Sequence, residues 1–199
     1  MWHKRREFKV LDLSPYFNND GISWDTDRSD GDFGYEHGMT FPAEELPESN
    51  SIVTLCGVDF LFPDKSDGAK NNMVLEGQTV PVPVGRYSEV YILGASDWGS
   101  FEEKVVLLYS DGGREEVTLG LTECFAHGRL RFGEKEAIVC TGYHFPDADV
   151  HSPRGNTSCG IWLQTLKVDP ERELEAIQFG DNPSMHIFAI TLRSAVCER

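Results

Sequence analysis

Short apolar segments with a two-residue period, separated by turn-forming residues, recur along most of this chain. Lys104 to Tyr109 is one such segment, and Ser110-Asp111-Gly112-Gly113 separates it from a second, Glu116 to Leu121. An Asp-Gly pair supplies the positive φ angles of a tight turn, so these two segments predict an antiparallel hairpin. The other segments of this kind span residues 51–63, 87–94, 136–145, 160–168, 174–179 and 185–193.

Helix-forming sequence is scarce by comparison. Asp169-Pro170, followed by Glu171 to Ile177, fits the start of a helix and also fits a turn that enters a strand. A parallel α/β fold would need a helix of about a dozen residues between strands. The pattern instead predicts an all-β fold, a sandwich or barrel of roughly nine or ten strands. No Gly/Ser-rich or Pro-rich linker divides the sequence, so we expect one domain over residues 1–199, with residues 1–7 as a frayed tail.

The chain is strongly acidic, with 33 Asp and Glu against 18 Lys and Arg and a formal net charge of -15. Nucleic acids and anionic lipid surfaces are bound through clustered Lys and Arg, so this balance argues against both as partners. The same repulsion disfavours acidic glycans. A neutral sugar or a cationic group is a better match to such a surface.

Cysteine usage and the lack of long apolar runs bear on location. The 5 cysteines are scattered, without a C-x-x-C pair, which is typical neither of a disulfide framework nor of a zinc site. No apolar stretch of signal-peptide length follows the first residues, and no run of roughly 18 apolar residues is available to span a bilayer. These features predict a cytoplasmic protein with reduced thiols.

The order of motifs along the chain is similar to that of a known family. The motifs are Leu11-Asp12-Leu13-Ser14-Pro15-Tyr16-Phe17-Asn18-Asn19-Asp20-Gly21-Ile22, Asp30-Gly31-Asp32-Phe33-Gly34, Gly57-Val58-Asp59-Phe60-Leu61-Phe62, Lys70-Asn71-Asn72, Gly77-Gln78-Thr79-Val80-Pro81-Val82-Pro83, Leu107-Leu108-Tyr109-Ser110-Asp111-Gly112 and Ile187-Phe188-Ala189-Ile190-Thr191-Leu192. From Leu11 to Leu192 this series resembles a galactose-binding-like jelly-roll module of the kind appended to bacterial and fungal glycoside hydrolases. The resemblance implies a jelly-roll β-sandwich, a ligand site in loops at one end, a glycan-binding or accessory role and, frequently, a structural calcium.

A carbohydrate site needs a flat aromatic face for the C–H side of a pyranose and polar groups for its hydroxyls. The candidates for stacking are Trp24, Trp98 and Trp162. The candidates for hydroxyl contacts are Asn71, Asn72 and Arg154, with Asp25 and Asp27. For each tryptophan the alternative is burial in a core, and for each polar residue it is turn chemistry or surface solvation.

The long irregular region from Asn18 to Asn50 contains an acidic loop that is compatible with calcium. Its predicted ligands are Asp25, Asp27, Asp32 and Glu36. The spacing is not that of an EF-hand, because Gly31 stands at the seventh position of the loop instead of the sixth and no flanking helices are evident. A looser calcium site and a plain solvated acidic loop both remain open.

An enzyme is the alternative to a binding module. Carboxylate pairs are compatible with a glycoside hydrolase, but 33 acidic residues will always include some that look paired. Tyr143 and His144 are the best acid–base candidates for a polysaccharide lyase, and the other candidate histidines are His37, His127, His151 and His186. A third possibility is a non-catalytic subunit that joins a glycoside hydrolase or its own copy. The sequence as a whole favours a carbohydrate-binding module with no cofactor beyond one structural calcium.

Overall fold

The computed structural model describes residues 8–25, 31–34, 38–145 and 156–195. The strands are β1 (Phe8–Val10), β2 (Ile22–Ser23), β3 (Phe41–Pro42), β4 (Ile52–Leu55), β5 (Val58–Leu61), β6 (Met73–Glu76), β7 (Thr79–Ser96), β8 (Phe101–Tyr109), β9 (Arg114–Leu121), β10 (Lys135–Cys140), β11 (Cys159–Lys167), β12 (Glu173–Gln178) and β13 (Asp181–Ser194). Two single-turn 3-10 helices span Ser14–Tyr16 and Ala43–Glu45.

The predicted all-β sandwich is confirmed. No helix in the described part of the chain is long and apolar enough to cross a membrane.

Two antiparallel sheets share the long strand β7. The second half of β7 pairs with β11 on one side and β13 on the other, and β10, β1 and β6 complete this central sheet. The first half of β7 pairs with β12, which leads on to β8 and β9 in the second sheet. Pro81 and Pro83 lie in this first half, where β7 is an edge strand and a missing N–H breaks no ladder. One strand thus joins the two layers of the sandwich.

One face of the central sheet packs against the second sheet. The side chains between them, which we call the aliphatic core, are mostly Leu, Ile and Val; Val90 and Ile92 of β7 and Ile187, Ile190 and Leu192 of β13 are members. In β7 this is the two-residue alternation that the sequence shows, and it places the intervening side chains on the opposite face. In β13 a bulge between Ile187 and Ala189 shifts the alternation by one residue.

The opposite face of the central sheet is buried by irregular chain. We call this cover, formed by residues 18–25, 31–34 and 38–62, the covering layer; it holds the short parallel pair β2–β3 and the hairpin β4–β5. Beneath it lies the aromatic core: Ile22, Phe33, Met39, Phe41, Ala43, Leu46, Val58, Phe60, Phe62, Leu93, Ala95, Cys124, Ile138, Cys140, Cys159, Ile161, Trp162, Leu163, Phe188 and Ala189. The central sheet therefore has hydrophobic contacts on both faces.

Some of the local predictions are confirmed and others are wrong. The hairpin β8–β9 is confirmed, and residues 169–172 form a turn that leads into β12 instead of a helix. The segment 51–63, predicted as one strand, is two strands. Cys56 and Gly57 form the turn between them, with φ angles of 50° and 82°. Strand β6 was not predicted.

Candidate functional site

A buried histidine and a buried aspartate face each other where β7 ends. Asp97 follows β7 directly and continues the alternation of Leu93 and Ala95, whose side chains lie in the aromatic core. Its backbone N–H donates to Ser184 O at 3.0 Å, which ties it to β13. His186 of β13 lies on the same face of the central sheet, under the covering layer, with Phe33 stacked on its ring. Strand pairing thus brings together two residues that are far apart in sequence.

The two side chains approach without a direct hydrogen bond. His186 Nε2 lies 3.8 Å from Asp97 Oδ2, and the side chains are only 2% and 4% exposed. Hydrogen bonds of this type are about 2.7–3.2 Å long, so the gap is too wide for one. Within the described residues, neither His186 Nε2 nor Asp97 Oδ1 has any hydrogen-bond partner. Because buried polar atoms are normally satisfied, this pair stands out.

A chain of buried asparagine amides leads to the Nδ1 side of the His186 ring. Asn72 Oδ1 lies 2.9 Å from His186 Nδ1, and Asn72 Nδ2 donates to Asn71 Oδ1 at 2.9 Å. Asn71 Nδ2 donates in turn to Asp20 Oδ1 at 2.5 Å, and Asn71 Oδ1 accepts from the Gly21 N–H at 2.9 Å. Both amides are fully buried. The network runs from one carboxylate, Asp20, towards the other, Asp97.

This network fixes which nitrogen of His186 is the donor. The Asn72 amide nitrogen is already committed as a donor to Asn19 O and Asn71 Oδ1, so Asn72 Oδ1 is the acceptor towards the imidazole. His186 Nδ1 therefore carries a proton. In the neutral imidazole, which has one N–H, Nε2 is then left as an acceptor pointing at Asp97.

Gly34 of the covering layer and Trp98 close this site on the solvent side. Gly34 has φ +110°, and a Cβ built on it would lie 1.6 Å from Asp97 Oδ2, so its backbone lies directly against the carboxylate. The indole N–H of Trp98 donates to Gly34 O. Trp98 is 56% exposed, and its own φ of 53° is unusual for a bulky residue. Strained backbone of this kind clusters at functional sites.

A family model matches residues 7–196, which include the whole of the described sandwich; the family is described as the AziU2-like beta-sandwich domain. The chain belongs to the AziU2-like β-sandwich domain family. No curated protein is similar to it in sequence. The predicted resemblance to galactose-binding-like modules is confirmed for the β-sandwich alone, and carbohydrate binding stays a prediction.

The AziU2-like domain has a second buried histidine under the same covering layer. His144 Nδ1 lies 3.1 Å from Ser23 O and 3.3 Å from Ser23 Oγ, and Ser23 Oγ is 2.5 Å from Thr40 Oγ1. The other ring nitrogen, Nε2, lies 3.8 Å from Asp25 Oδ1 and 3.9 Å from Glu44 Oε2. His144 therefore links β2, β3 and the segment after β10.

The predicted acid–base pair of Tyr143 and His144 is not brought together. Tyr143 packs edge-on against Phe125 and Phe145, with ring centroids 5.1 Å and 4.9 Å away. Neighbouring residues of extended chain point to opposite sides, so the phenol and the imidazole have separate surroundings. The structure gives Tyr143 a packing role beside the aromatic core.

The three candidate tryptophans have different positions in the AziU2-like domain. Trp162 is fully buried and its indole N–H donates to Thr122 O at 2.9 Å. The prediction that it stacks on a ligand is corrected, because a ring inside the core has no face for a sugar. Trp24 is 38% exposed and donates to Lys65 O at 2.8 Å. Of the three, Trp98 is the most exposed.

Lys65 is a buried cation that bonds to the covering layer. Its ammonium donates to Ala43 O at 2.7 Å and Leu46 O at 3.2 Å, and it lies 5.1 Å from the centroid of the Trp24 ring. Burial lowers the pKa of Lys65, and nearby glutamates oppose this shift. Two carbonyls and an aromatic face thus hold one ammonium group.

The predicted polar residues are only partly described. Asn71 and Asn72 belong to the network behind His186, where their amides bond to protein groups instead of facing solvent. This corrects their prediction as direct hydroxyl contacts. Arg154 lies outside the described residues, as do the predicted calcium ligands Asp27 and Glu36 and the tail 1–7.

The two described calcium ligands are used differently. Asp32 Oδ1 accepts the Gly34 N–H at 2.6 Å and so stabilises a turn, whereas the Asp25 carboxylate lies near His144. Among described residues, no group of three or more His, Cys, Asp or Glu side chains is arranged to hold a metal ion. Calcium binding stays a prediction.

Sequence reasoning missed the His186–Asp97 pair. His186 was one candidate among several histidines, and Asp97 was a neighbour of Trp98 without a role. One signal was available: the alternation that places Leu93 and Ala95 in a core continues to Asp97, which predicts a buried carboxylate. Its partner on β13 follows only from the strand register.

Proposed function

We propose that this AziU2-like domain binds a non-acidic carbohydrate on Trp98, at the end of the central sheet. The observation that carries the proposal is the Trp98 ring, which is 56% exposed while its indole N–H is fixed by Gly34 O. A flat, immobilised aromatic face is what stacking on a pyranose needs, because little side-chain freedom is lost on binding.

The surroundings of Trp98 support the proposal. Trp98 lies in a connection between strands, and such connections carry ligand sites in β-sandwiches more often than the strands themselves do. The formal charge of -15 repels acidic glycans, which narrows the ligand to uncharged or cationic sugars. Asp97 adds a carboxylate next to the ring.

The test is a glycan-array screen of the pure protein with and without calcium, followed by titration of each hit. Trp98→Ala should weaken a hit by about tenfold or more, since stacked aromatic contacts contribute on the order of 1 kcal/mol beyond area burial. Val84→Ala is the matched control. Val84 is an apolar residue that is 61% exposed. It lies in the first half of β7, whereas Trp98 follows the other end of this strand.

The outcomes separate the alternatives. Saturable binding that is lost in Trp98→Ala and kept in Val84→Ala supports the proposal. Chromatography of each hit after incubation should show the glycan unchanged; a shortened or eliminated product would replace the binding module with an enzyme. Silence on every glycan, together with co-purification of a protein partner, would overturn the proposal in favour of a non-catalytic subunit.

A further inference from the structure

We infer that the His186–Asp97 pair is a binding site for a protonated amine, so that the ligand at Trp98 is an amino sugar. The inference rests on the proposed carbohydrate function and deepens it. It starts from two buried atoms, His186 Nε2 and Asp97 Oδ1, that lack a hydrogen-bond partner among the described residues. His186 Nε2 lies 3.8 Å from the other oxygen of the same carboxylate, Asp97 Oδ2.

The hydrogen-bonding atoms of His186 and Asp97 indicate which ligand group would satisfy both. His186 Nδ1 donates to Asn72 Oδ1, so an imidazole with one N–H has an acceptor at Nε2. The Asp97 carboxylate presents acceptors only. A sugar hydroxyl has a single proton and can satisfy one of these atoms but not both. An ammonium group has three N–H donors and can satisfy Nε2 and the carboxylate together.

The distance fits one such nitrogen. With Nε2 and Oδ2 3.8 Å apart, an atom about 2.2 Å off the midpoint of the line between them lies about 2.9 Å from each, a normal hydrogen-bond length. Oδ1 of the same carboxylate can accept a further N–H. The gap is therefore too wide for a direct bond and suited to one bridging nitrogen.

Charge favours an ammonium over a neutral bridge. Glu89 shows how this fold satisfies a carboxylate on the same face of β7: Lys167, Arg193 and Tyr91 all donate to it. Among the described residues, Asp97 has no Lys or Arg partner, and its one ion-pair neighbour is the His186 ring, which is charged only when both of its nitrogens are protonated. A buried carboxylate without a full countercharge is costly, and a ligand cation removes that cost.

The covering layer already binds an ammonium group in a comparable way, that of Lys65. Lys65 Nζ bonds to two carbonyl oxygens and lies 5.1 Å from the Trp24 ring centroid. At the proposed site, Asp97 and His186 supply the acceptors and Trp98 supplies the ring. Cations bind favourably over an indole face within about 6 Å of its centroid.

Gly34 controls access to the pair. It bonds to the Trp98 indole through its carbonyl and lies against the Asp97 carboxylate through its backbone. Since both members of the pair are buried, an amine on a sugar stacked at Trp98 reaches them only when Gly34 shifts. Binding should therefore change the environment of the Trp98 indole N–H.

The experiment compares matched sugars by calorimetric titration. Glucosamine and galactosamine are the cationic probes, and glucose, galactose and the two N-acetyl sugars are their uncharged counterparts. We expect the better amine to bind at least about tenfold more tightly than its hydroxyl and N-acetyl counterparts, because its hydrogen bonds to Asp97 are charge-assisted. Asp97→Asn should remove this preference, so that the amine and its neutral counterparts bind the variant with affinities within about twofold of one another. Trp98→Ala should weaken both, and Val84→Ala neither.

Failure of the inference and failure of the proposed function give different results. If neutral sugars bind at Trp98 but the amine has no advantage, or Asp97→Asn keeps that advantage, the pair holds only water and the inference is wrong. If no sugar binds wild type, the carbohydrate function itself is wrong. Should Asp97→Asn not fold, the 15N resonances of His186 in wild type decide. A shift of Nε2 with the amine and not with the neutral sugar supports the inference, and no shift overturns it.

Discussion

The two faces of the central sheet are buried in different ways. On one face, regular strands of the second sheet pack against aliphatic side chains, and their ladders satisfy the backbone. On the other, the irregular covering layer packs against aromatic and sulfur-containing side chains, and many of its backbone groups are satisfied by buried side chains. Asn71 Oδ1 accepting from Gly21 is one such case, and Thr191 Oγ1 donating to Asp59 O is another.

This difference explains where a binding site can form in a sandwich. Regular sheet-on-sheet packing leaves no need for buried polar side chains, so that face contributes stability alone. The irregular cover requires polar side chains, and a small number of them, Asp97 and His186, then have hydrogen-bonding capacity to spare. We therefore expect changes to the aromatic face to alter both stability and binding, and changes to the aliphatic face to alter stability only.

The largest effects should come from truncating one side chain on each face of β13. Ile190 lies in the aliphatic core and Phe188 in the aromatic core, stacked at 6.1 Å on Phe33, which in turn covers His186. Ile190→Ala should cost about 2–5 kcal/mol and Phe188→Ala about 3–5 kcal/mol in urea unfolding. Sugar affinity per folded molecule should fall only in Phe188→Ala. Equal affinities in the two variants would contradict the division of roles between the faces.

Gly34→Ala should have the next largest effect. The added Cβ meets Asp97 Oδ2 and the backbone is held at φ +110°, so we expect about 2–3 kcal/mol of destabilisation. Gly112→Ala is the matched control, because its φ is +81° with no atom within 4 Å of the added Cβ. It should cost only about 1 kcal/mol, from backbone strain alone. Equal unfolding midpoints for the two variants would mean that Gly34 does not contact Asp97 as described.

Lowering the pH should reduce the stability of the protein by protonating Glu89, before it affects the packing of the aliphatic core. Burial opposes ionisation of this carboxyl, but hydrogen bonds from Lys167, Tyr91 and Arg193 prevail and lower its pKa to about 2. A pKa lowered by folding stabilises the native state above the unfolded value of 4.5, and this stability is lost as the pH falls from there towards 2. Solvent screening of Lys167 limits the effect to about 1–2 kcal/mol. Urea unfolding of wild type and Glu89→Gln at several pH values should show a steeper loss in wild type; parallel curves would contradict this.

The smallest effect concerns the buried thiols of the aromatic core. Two effects raise the pKa of the Cys159 thiol: its contact with Cys140, which is the larger, and its burial. Cys124 and Cys140 are also buried, whereas Cys56 is exposed. In a Cys197→Ser background, a thiol reagent should modify Cys56 quickly and the other three only on unfolding. Phe188→Ala should accelerate the slow phase more than Ile190→Ala does. Rapid modification of all the thiols in folded protein would show that the covering layer does not seal this face.

How much the sequence predicts also differs between the faces. Alternation along β7 predicts both sides of the central sheet, because each residue's side is set by its parity. In β13 a bulge between Ile187 and Ala189 shifts the parity, so that Phe188 and Ala189 both lie in the aromatic core. The covering layer has no such period, and Asn71 and Asn72, predicted as ligand contacts, bond to its residues Asp20 and Gly21 and to each other instead. For Trp162 the sequence leaves ligand stacking and burial open, because Ile161, Trp162 and Leu163 of β11 all lie in the aromatic core and do not alternate. The pairing of His186 with Asp97 depends on the register of β13 against β7 and on the path of residues 31–34, which neither spacing nor residue type predicts.

The most direct test of the account is the map of indole N–H signals in 15N-labelled protein titrated with glucosamine and galactosamine. We expect a saturable shift of the Trp98 indole signal, because Gly34 must move as the amine reaches Asp97. The signal of Trp162 should stay unchanged, because its indole N–H donates to Thr122 O at 2.9 Å inside the core. An unchanged Trp98 signal at saturating sugar would contradict the account, and so would shifts confined to residues of β8, β9 and β12.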